Sequence, residues 1–330
     1  MDITIEWAGD DAEVRWLPAD GELEIQPSLS PIELAGDFSA CVASGGVARF
    51  SGIGQRVDGV FRRCFFLCRD QQNGRWVAAS PHVDLQGAPN FRDYGGYLTA
   101  QGRQVAWGKL FRSGQLASLT DIDAVSIRQL DIGLVFDFRQ DSEQLREPSR
   151  FAHGAEPEII ALPITPGNTS GFFEGLADGS LSAEDMAVAM RDINRQLALS
   201  EAETYCKMFE QMIQHPGASL VHCAAGKDRT GFAAAMVLSA LGVPYETVMD
   251  DYLLTSRYFS VDIEIERIRQ KYQWQGDSAA IRPMLEADRS YLRTAFDAIH
   301  SEFSSVDVYL REMLGLGGPE REELRRLLLV

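Results

Sequence analysis

The sequence predicts an α/β protein, a parallel or mixed sheet flanked by helices, preceded by a small all-β sandwich-like domain. Two observations carry this. Residues 1 to about 80 hold short alternating runs broken by turn signals, whereas from residue 81 strand-like and helical runs alternate. A chain of 330 residues also exceeds the length at which one hydrophobic core usually stops growing, which favours domains at 1–80 and 81–330.

In the first part, Ile3-Thr4-Ile5-Glu6-Trp7 alternates, Asp10-Asp11 breaks it, and Glu13-Val14-Arg15-Trp16 resumes. Asp20-Gly21 is a hairpin turn signal before Glu22-Leu23-Glu24-Ile25. Further strand-like runs cover 47–50, 59–69 and 76–79, so a small antiparallel sandwich or open barrel is expected. In the second part, 119–130 has helical spacing with Thr120 as N-cap, and Ile132-Gly133-Leu134-Val135-Phe136 reads as a buried parallel strand. Residues 159–164 read as another strand, then 182–197 and 201–214 as helices, with Ser182 and Asp185 as a variant capping box. The short apolar run Ser219-Leu220-Val221-His222 predicts a central strand. The Ala-rich run 230–241 predicts a helix stopped by Gly242 and Pro244. Residues 245–328 read as helices, with a last break at 315–319.

Composition is that of a soluble globular chain, 45% hydrophobic and 24% charged, and the net charge is -17. Such acidity argues against sequence-independent nucleic-acid binding and against stable docking on anionic membranes. A focal cluster of donors can still bind a small anion. The start of the chain lacks the basic, apolar and small-residue pattern of a signal peptide, and no apolar run approaches a membrane span, so a cytoplasmic location is expected. Five cysteines, at 41, 64, 68, 206 and 223, fit reduced thiols better than a disulfide framework. Cys64 and Cys68 share one strand face, where buried neutral thiols are expected rather than half a metal site.

The string His222-Cys223-Ala224-Ala225-Gly226-Lys227-Asp228-Arg229-Thr230-Gly231 lies between a predicted strand and a predicted helix. A loop closing from strand to helix presents backbone N–H groups inward, and the helix N-terminus adds its dipole. The small side chains of Ala224, Ala225 and Gly226 let the backbone curl round a tetrahedral anion. Arg229 supplies a bidentate fork to two phosphoryl oxygens. Helix N-termini and neighbouring cations favour the thiolate form of a cysteine, which is the nucleophilic form. The same donors stabilise transferred charge, and the Thr230 hydroxyl can bond the departing sulfur. His222 suits a structural role, bonding the loop and tuning the thiol, better than a general base.

This string resembles the cysteine phosphatase superfamily, whose pattern is His-Cys, five residues, Arg, then Ser or Thr. The longer Gly-Lys-Asp-Arg-Thr-Gly resembles the bacterial and fungal protein-tyrosine/dual-specificity phosphatase branch, some members of which also attack phosphoinositides. Asn90-Phe91-Arg92-Asp93-Tyr94-Gly95-Gly96, Leu110-Phe111-Arg112-Ser113-Gly114 and Val135-Phe136-Asp137-Phe138-Arg139 follow in the order expected of that branch. Asp250-Asp251-Tyr252-Leu253-Leu254 and Tyr309-Leu310-Arg311 resemble its helical tail. The resemblance spans roughly 82–328 and leaves 1–80 without a counterpart.

It implies a metal-independent phosphatase with no cofactor, acting through a phosphocysteine on Cys223. The substrate is a phosphorylated protein or a phosphoinositide, with inositol polyphosphates and a non-catalytic phosphate-recognising module as alternatives. The Trp-Pro-Asp string that carries the general acid in tyrosine phosphatases is absent. The resemblance favours Asp228 for that role, with Asp137 second; Asp137 could instead pair with Arg139. Lys227 resembles the extra cation of phosphoinositide phosphatases, or it serves a phosphoprotein or faces solvent. Asn90, Arg92 and Asp93 are expected to support the loop, unless Arg92 and Asp93 form a surface pair. The N-terminal domain is expected to dock a partner.

Overall fold

The computed structural model describes residues 2–17, 22–31, 41–53, 56–57, 60–72, 74–151, 156–165, 175, 180–272 and 274–330. The first 80 residues supply β1 (Asp2–Ala8), β2 (Asp11–Leu17), β3 (Leu23–Ser28), β4 (Cys41–Ala43), β5 (Val47–Phe50), β6 (Arg56–Val57), β7 (Val60–Phe61), β8 (Phe65–Asp70) and β9 (Arg75–Ala79). They form antiparallel sheets in the orders β1-β2-β5 and β4-β3-β8-β9, with β6 and β7 as a separate pair. Alternation explains the layering: Val14 and Trp16 of β2 meet Leu23, Ile25, Phe66, Cys68 and Ala78 of the other sheet in one core. The expected sandwich is therefore present, and Cys64 and Cys68 are both buried in that core. The Asp20-Gly21 turn lies outside the described residues. The strand predicted over 59–69 is two strands, β7 and β8.

The opposite face of the four-stranded sheet, Phe65, Leu67, Val77 and Ala79, packs on Trp107 of the α/β part. Trp107 Nε1 donates to Val77 O at 2.8 Å, and the Gln104 amide donates to Val77 O while accepting from Val77 N. Arg63 pairs with the buried Asp93.

The α/β part adds β10 (Arg92–Asp93), β11 (Leu110–Ser113), β12 (Ile132–Asp137), β13 (Glu158–Ala161) and β14 (Ala218–His222). Their order is β10-β11-β14-β12-β13; β11, β14, β12 and β13 run parallel, and β10 is antiparallel to β11. The run 219–222 is thus central, as its apolar composition predicts. Both faces are buried. Phe111, Val135 and Leu220 point to a core with Leu116, Leu119 and Ile127, while Leu110, Leu134, Phe136 and Val221 point to the larger helical core.

The helices are α1 (Asp121–Arg128), α2 (Asp141–Arg146), α3 (Ala183–Leu199), α4 (Ala202–Gln214), α5 (Asp228–Leu241), α6 (Tyr245–Leu253), α7 (Thr255–Tyr258), α8 (Val261–Tyr272), α9 (Ser278–Leu285), α10 (Arg289–Phe303), α11 (Val306–Glu312) and α12 (Gly318–Leu328). Thr120 and Ser182 are the predicted N-caps, each with a capping box, and Gly242 ends α5 in the left-handed region at φ 90°. Helix α5 starts at Asp228, earlier than the Ala-rich run suggests, because the loop closes directly into its first turn. Strand β13 stops at Ala161, short of the predicted 164. Among the described residues no helix is long and apolar enough to cross a membrane.

Candidate active site

Strand β14 ends where Cys223 begins the connection to α5, and Cys223 is 3% exposed. Gly226 has φ +68°, and a Cβ there would lie 2.4 Å from Ser113 O, so only glycine fits this turn. The loop carbonyls are fastened from outside. Ala224 O accepts from Gln115 N at 2.8 Å, Ala225 O and Gly226 O accept from Asn90 Nδ2 at 3.2 and 2.9 Å, and Gly226 O also accepts from Arg112 Nη2 at 3.0 Å. With the C=O groups turned outward, the amides of Ala224, Ala225 and Gly226 are left without a partner among the described residues. That is the backbone arrangement of an anion cradle, at the N-terminus of a 14-residue helix.

The outer fastening has its own anchor. Arg92 donates to Asn90 Oδ1 and to Asp251 O, its Nε stands 3.6 Å from Asp251 Oδ1, and Arg112 Nη1 donates to Asp251 Oδ2 at 2.6 Å. Tyr97 OH adds a bond to Asp251 Oδ1. All three charges are buried, and a buried carboxylate shared by two guanidiniums is stable only when so hydrogen-bonded. Burial, then the neighbouring Arg112, lower Arg92 to about 10, against the pull of Asp251. Asn90 thus bonds the loop carbonyls directly and Arg92 bonds Asn90, while Arg92 and Asp93 form no surface pair: both are buried, with Asp251 and Arg63 as their partners.

Arg229 is also held. Nη1 donates to Glu143 Oε2 at 2.8 Å and Phe138 O at 3.1 Å, and Nη2 to Glu143 Oε1 at 3.2 Å. Glu143 is itself fixed by the α2 capping box, where its carboxylate accepts from Gln140 N. Burial alone would lower Arg229, but the charges of Cys223 and Glu143 hold its guanidinium above the ordinary value. Burial would raise Glu143, yet the bond and charge of Arg229, the Gln140 amide and the charge of Arg139 together outweigh it and keep the carboxylate below its usual range.

Asp137 is turned away from this centre. Its carboxylate takes the Arg139 side chain at 2.7–3.2 Å, with His222 Nε2 at 3.5 Å. Burial raises it, but His222 and Arg139 together hold it well below the carboxylate range, so it is an anion at neutral pH and no proton donor. Register explains His222: Asp137 is its pairing partner on β12, so the ring faces that carboxylate and makes no hydrogen bond to the loop.

Asp228 Oδ1 accepts from Asn194 Nδ2 of α3 at 3.0 Å, and Lys227 Nζ lies 3.4 Å from Oδ2. Lys227 is not directed at the open side of the loop. Its Nζ donates to Met284 O at 2.7 Å and Glu286 O at 2.9 Å, and burial lowers its affinity for a proton, against the charges of Asp228 and Cys223. The Thr230 hydroxyl is buried and has no hydrogen-bond partner among the described residues. Ala225 packs against an apolar cluster of Met186, Phe259, Ile265, Ile281 and Leu285, so α8 and α9 lie over the loop.

Glu143 and Asn194 carry no signal in the signature string, although Gln140-x-x-Glu143 at a strand-to-helix turn is readable as a capping box. Arg112 and Asp251 lie inside strings that carry the family resemblance, without a role evident from sequence alone.

A cysteine at the base of a backbone anion cradle, beside an immobilised guanidinium, defines a cysteine-dependent phosphomonoester hydrolase. The model of the tyrosine phosphatase family matches residues 83–330. A Cupriavidus necator protein whose name ascribes to it tyrosine-protein phosphatase activity is 31% identical over 68% of this chain and 81% of its own. The triple specificity protein phosphatase PtpB of Mycobacterium tuberculosis is 28% identical over 69% of this chain and 92% of its own. The crystal structure of P. aeruginosa TpbA aligns with 61% of this chain and 96% of its own at 17% identity, with a TM-score of 0.26. The chain belongs to the tyrosine phosphatase family, and it is a phosphatase of the protein-tyrosine/dual-specificity type.

Proposed function

We propose that the chain hydrolyses aryl phosphomonoesters, phosphotyrosine foremost, with Cys223 as nucleophile, Arg229 as phosphate clamp and Asp228 as general acid. The observation that carries this is the Arg229 fork. Its Nη1 is engaged by Glu143 and Phe138 O, while Nε makes no bond among the described residues. The edge formed by Nε and the second N–H of Nη2 is thus available to two phosphoryl oxygens, beside the amides of 224–226.

In this reading the Cys223 thiolate attacks phosphorus, an S–P bond forms, and the P–O bond to the leaving group breaks. Asp228 gives that oxygen its proton, with Asn194 fixing one carboxyl oxygen so that the other meets the leaving group. Water then attacks the phosphocysteine, its proton passes to Asp228, and the released sulfur is stabilised by the Thr230 hydroxyl. Lys227 acts as a strut, joining the loop to the carbonyls at the end of α9. Its engagement there favours phosphotyrosine over highly charged head groups, while the relative named for triple specificity motivates a wider screen. Five unpaired cysteines suit a reducing cytoplasm. Residues 1–80 act as a separate domain that docks a partner, and their deletion is expected to spare small aryl phosphates.

The test is hydrolysis of phosphopeptides and phosphoinositides without added metal, with Cys223→Ser as control. Vanadate-sensitive turnover of phosphotyrosine is expected. Turnover surviving in Cys223→Ser would remove the assigned nucleophile.

A further inference from the structure

A second cavity lies at the other end of the sheet. Cys223 follows the carboxyl end of β14, whereas this cleft is lined by Lys109 and Phe111 at the start of β11 and by Asp131 just before β12. Trp107, Gly108, Gln129 and Leu130 extend that wall, and the facing wall comes from residues 1–80, including Leu29, Arg62, Arg63 and Phe65. The family match begins only at residue 83, so five of the twelve lining residues belong to the segment outside it. The volume is about 450 Å³, within the size range of small-molecule sites.

The aromatic wall is preformed. Arg63 lies 5.0, 5.3 and 5.9 Å from the ring centroids of Phe65, Trp107 and Phe111, and it is fixed by Asp93 and by Ser80 O. Trp107 is oriented by its bond to Val77 O. Gly108, whose amide donates to Asp93, leaves open space where a side chain would stand.

Arg63 is neutralised by Asp93, but the side chains of Arg62 and Lys109 have no hydrogen bond or ion pair among the described residues. One carboxylate, Asp131, shares the rim. Two uncommitted cations against one carboxylate make a local positive excess on a chain of net charge -17. One cation comes from each part of the molecule, so a ligand reaching both would bridge the sandwich and the α/β part.

We propose that this cleft is a second, non-catalytic binding site for a planar aromatic anion of small-molecule size, its ring against Trp107 and its charge between Arg62 and Lys109. The proposal is independent of the roles assigned around Cys223. The test is calorimetric titration of the full chain with the phosphate loop saturated by vanadate, which removes binding at the catalytic cradle. Three probes separate the contributions: naphthalene sulfonate, the uncharged naphthalene methanol, and inorganic sulfate. Naphthalene sulfonate is expected to bind at one site and at least about tenfold more tightly than either of the others. Arg62→Glu combined with Lys109→Glu is expected to weaken it at least about tenfold, while aryl phosphate hydrolysis and melting temperature stay near wild type. Lys109→Arg should retain binding, and Leu130→Glu, which adds a carboxylate to the apolar wall, should lose it. No binding, equal binding of the uncharged probe, loss of binding under vanadate, or full binding by the doubly reversed variant would each overturn the proposal.

Discussion

Cys223 in the phosphate loop and the pair Cys64 and Cys68 in the sandwich are all nearly inaccessible, at 3%, 6% and 0% exposure. Their surroundings differ completely. Cys64 and Cys68 sit in the apolar cluster of Trp16, Ile25, Phe66 and Ala78, and burial pushes the thiols up to about 11 and about 12. Cys223 lies at a helix N-terminus beside Arg229, whose charge it helps to hold. Burial by itself therefore makes an inert thiol, and the nucleophile role proposed for Cys223 rests on the oriented donors around it.

The most severe way to break this comparison is to exchange the thiols. Cys223→Ser is expected to lower kcat for an aryl phosphate by a factor on the order of 10⁴ or more. Cys64→Ala and Cys68→Ala should leave kcat unchanged and cost about 1–2 kcal/mol of stability through the space they open. Steady-state rates and urea midpoints on the same three proteins decide it. Activity falling equally in all three would mean that the sandwich shapes the catalytic centre.

A second, smaller effect follows from the cradle rather than the thiol. Gly226→Ala must leave φ +68° or press a Cβ into Ser113 O, and either movement pulls Gly226 O off Asn90 and Arg112. The expected loss is about 10²-fold in kcat/KM. Asn90→Ala keeps the turn but loosens two carbonyls, so about tenfold is expected. If Asn90→Ala costs more than Gly226→Ala, the carbonyl fastening outweighs the turn itself.

The two regions were also unequally legible from sequence. Alternation in β1 and β2, and the apolar runs of β8 and β14, revealed the strands, because burial on one face imposes a period and burial on both imposes a run. The string 222–231 exposed the site because its parts are contiguous. The clamp on Arg229 and the support of Asp228 come from Glu143 and Asn194, which lie 86 and 34 positions away in sequence, so no local pattern could pair them. Lys227 was misleading for a related reason. Its place in the loop suggested substrate contact, but carbonyls freed at the end of α9 offered a closer partner.

Glu143→Gln sharpens the distinction between a clamp that is present and one that is immobilised. The amide keeps the size of the side chain but surrenders the charge, while Phe138 O still holds Arg229 Nη1. A fall in kcat/KM of about tenfold is expected, with vanadate affinity falling in parallel, since both need the same fork. Inhibition constants measured beside the rates check this. Asn194→Ala should instead leave vanadate affinity alone and flatten the limb of the pH–rate profile that reports the proton donor.

The smallest effect belongs to the inert thiols and appears only at alkaline pH. Their folded values, about 11 and about 12, lie above the roughly 8.5 of an exposed cysteine. Between those limits the unfolded chain has lost the protons that the folded chain keeps. The unfolded state is then favoured, so stability present below pH ~8.5 declines as pH rises toward the folded values, each thiol contributing up to about one proton to the slope. Urea unfolding from pH 8 to 10 should show that decline in the wild type. Cys64→Ala and Cys68→Ala should each make it shallower, despite lower stability at neutral pH. A slope unchanged by both substitutions would mean that the thiols ionise as readily in the folded sandwich as in water, and the contrast with Cys223 would then have to rest on geometry alone.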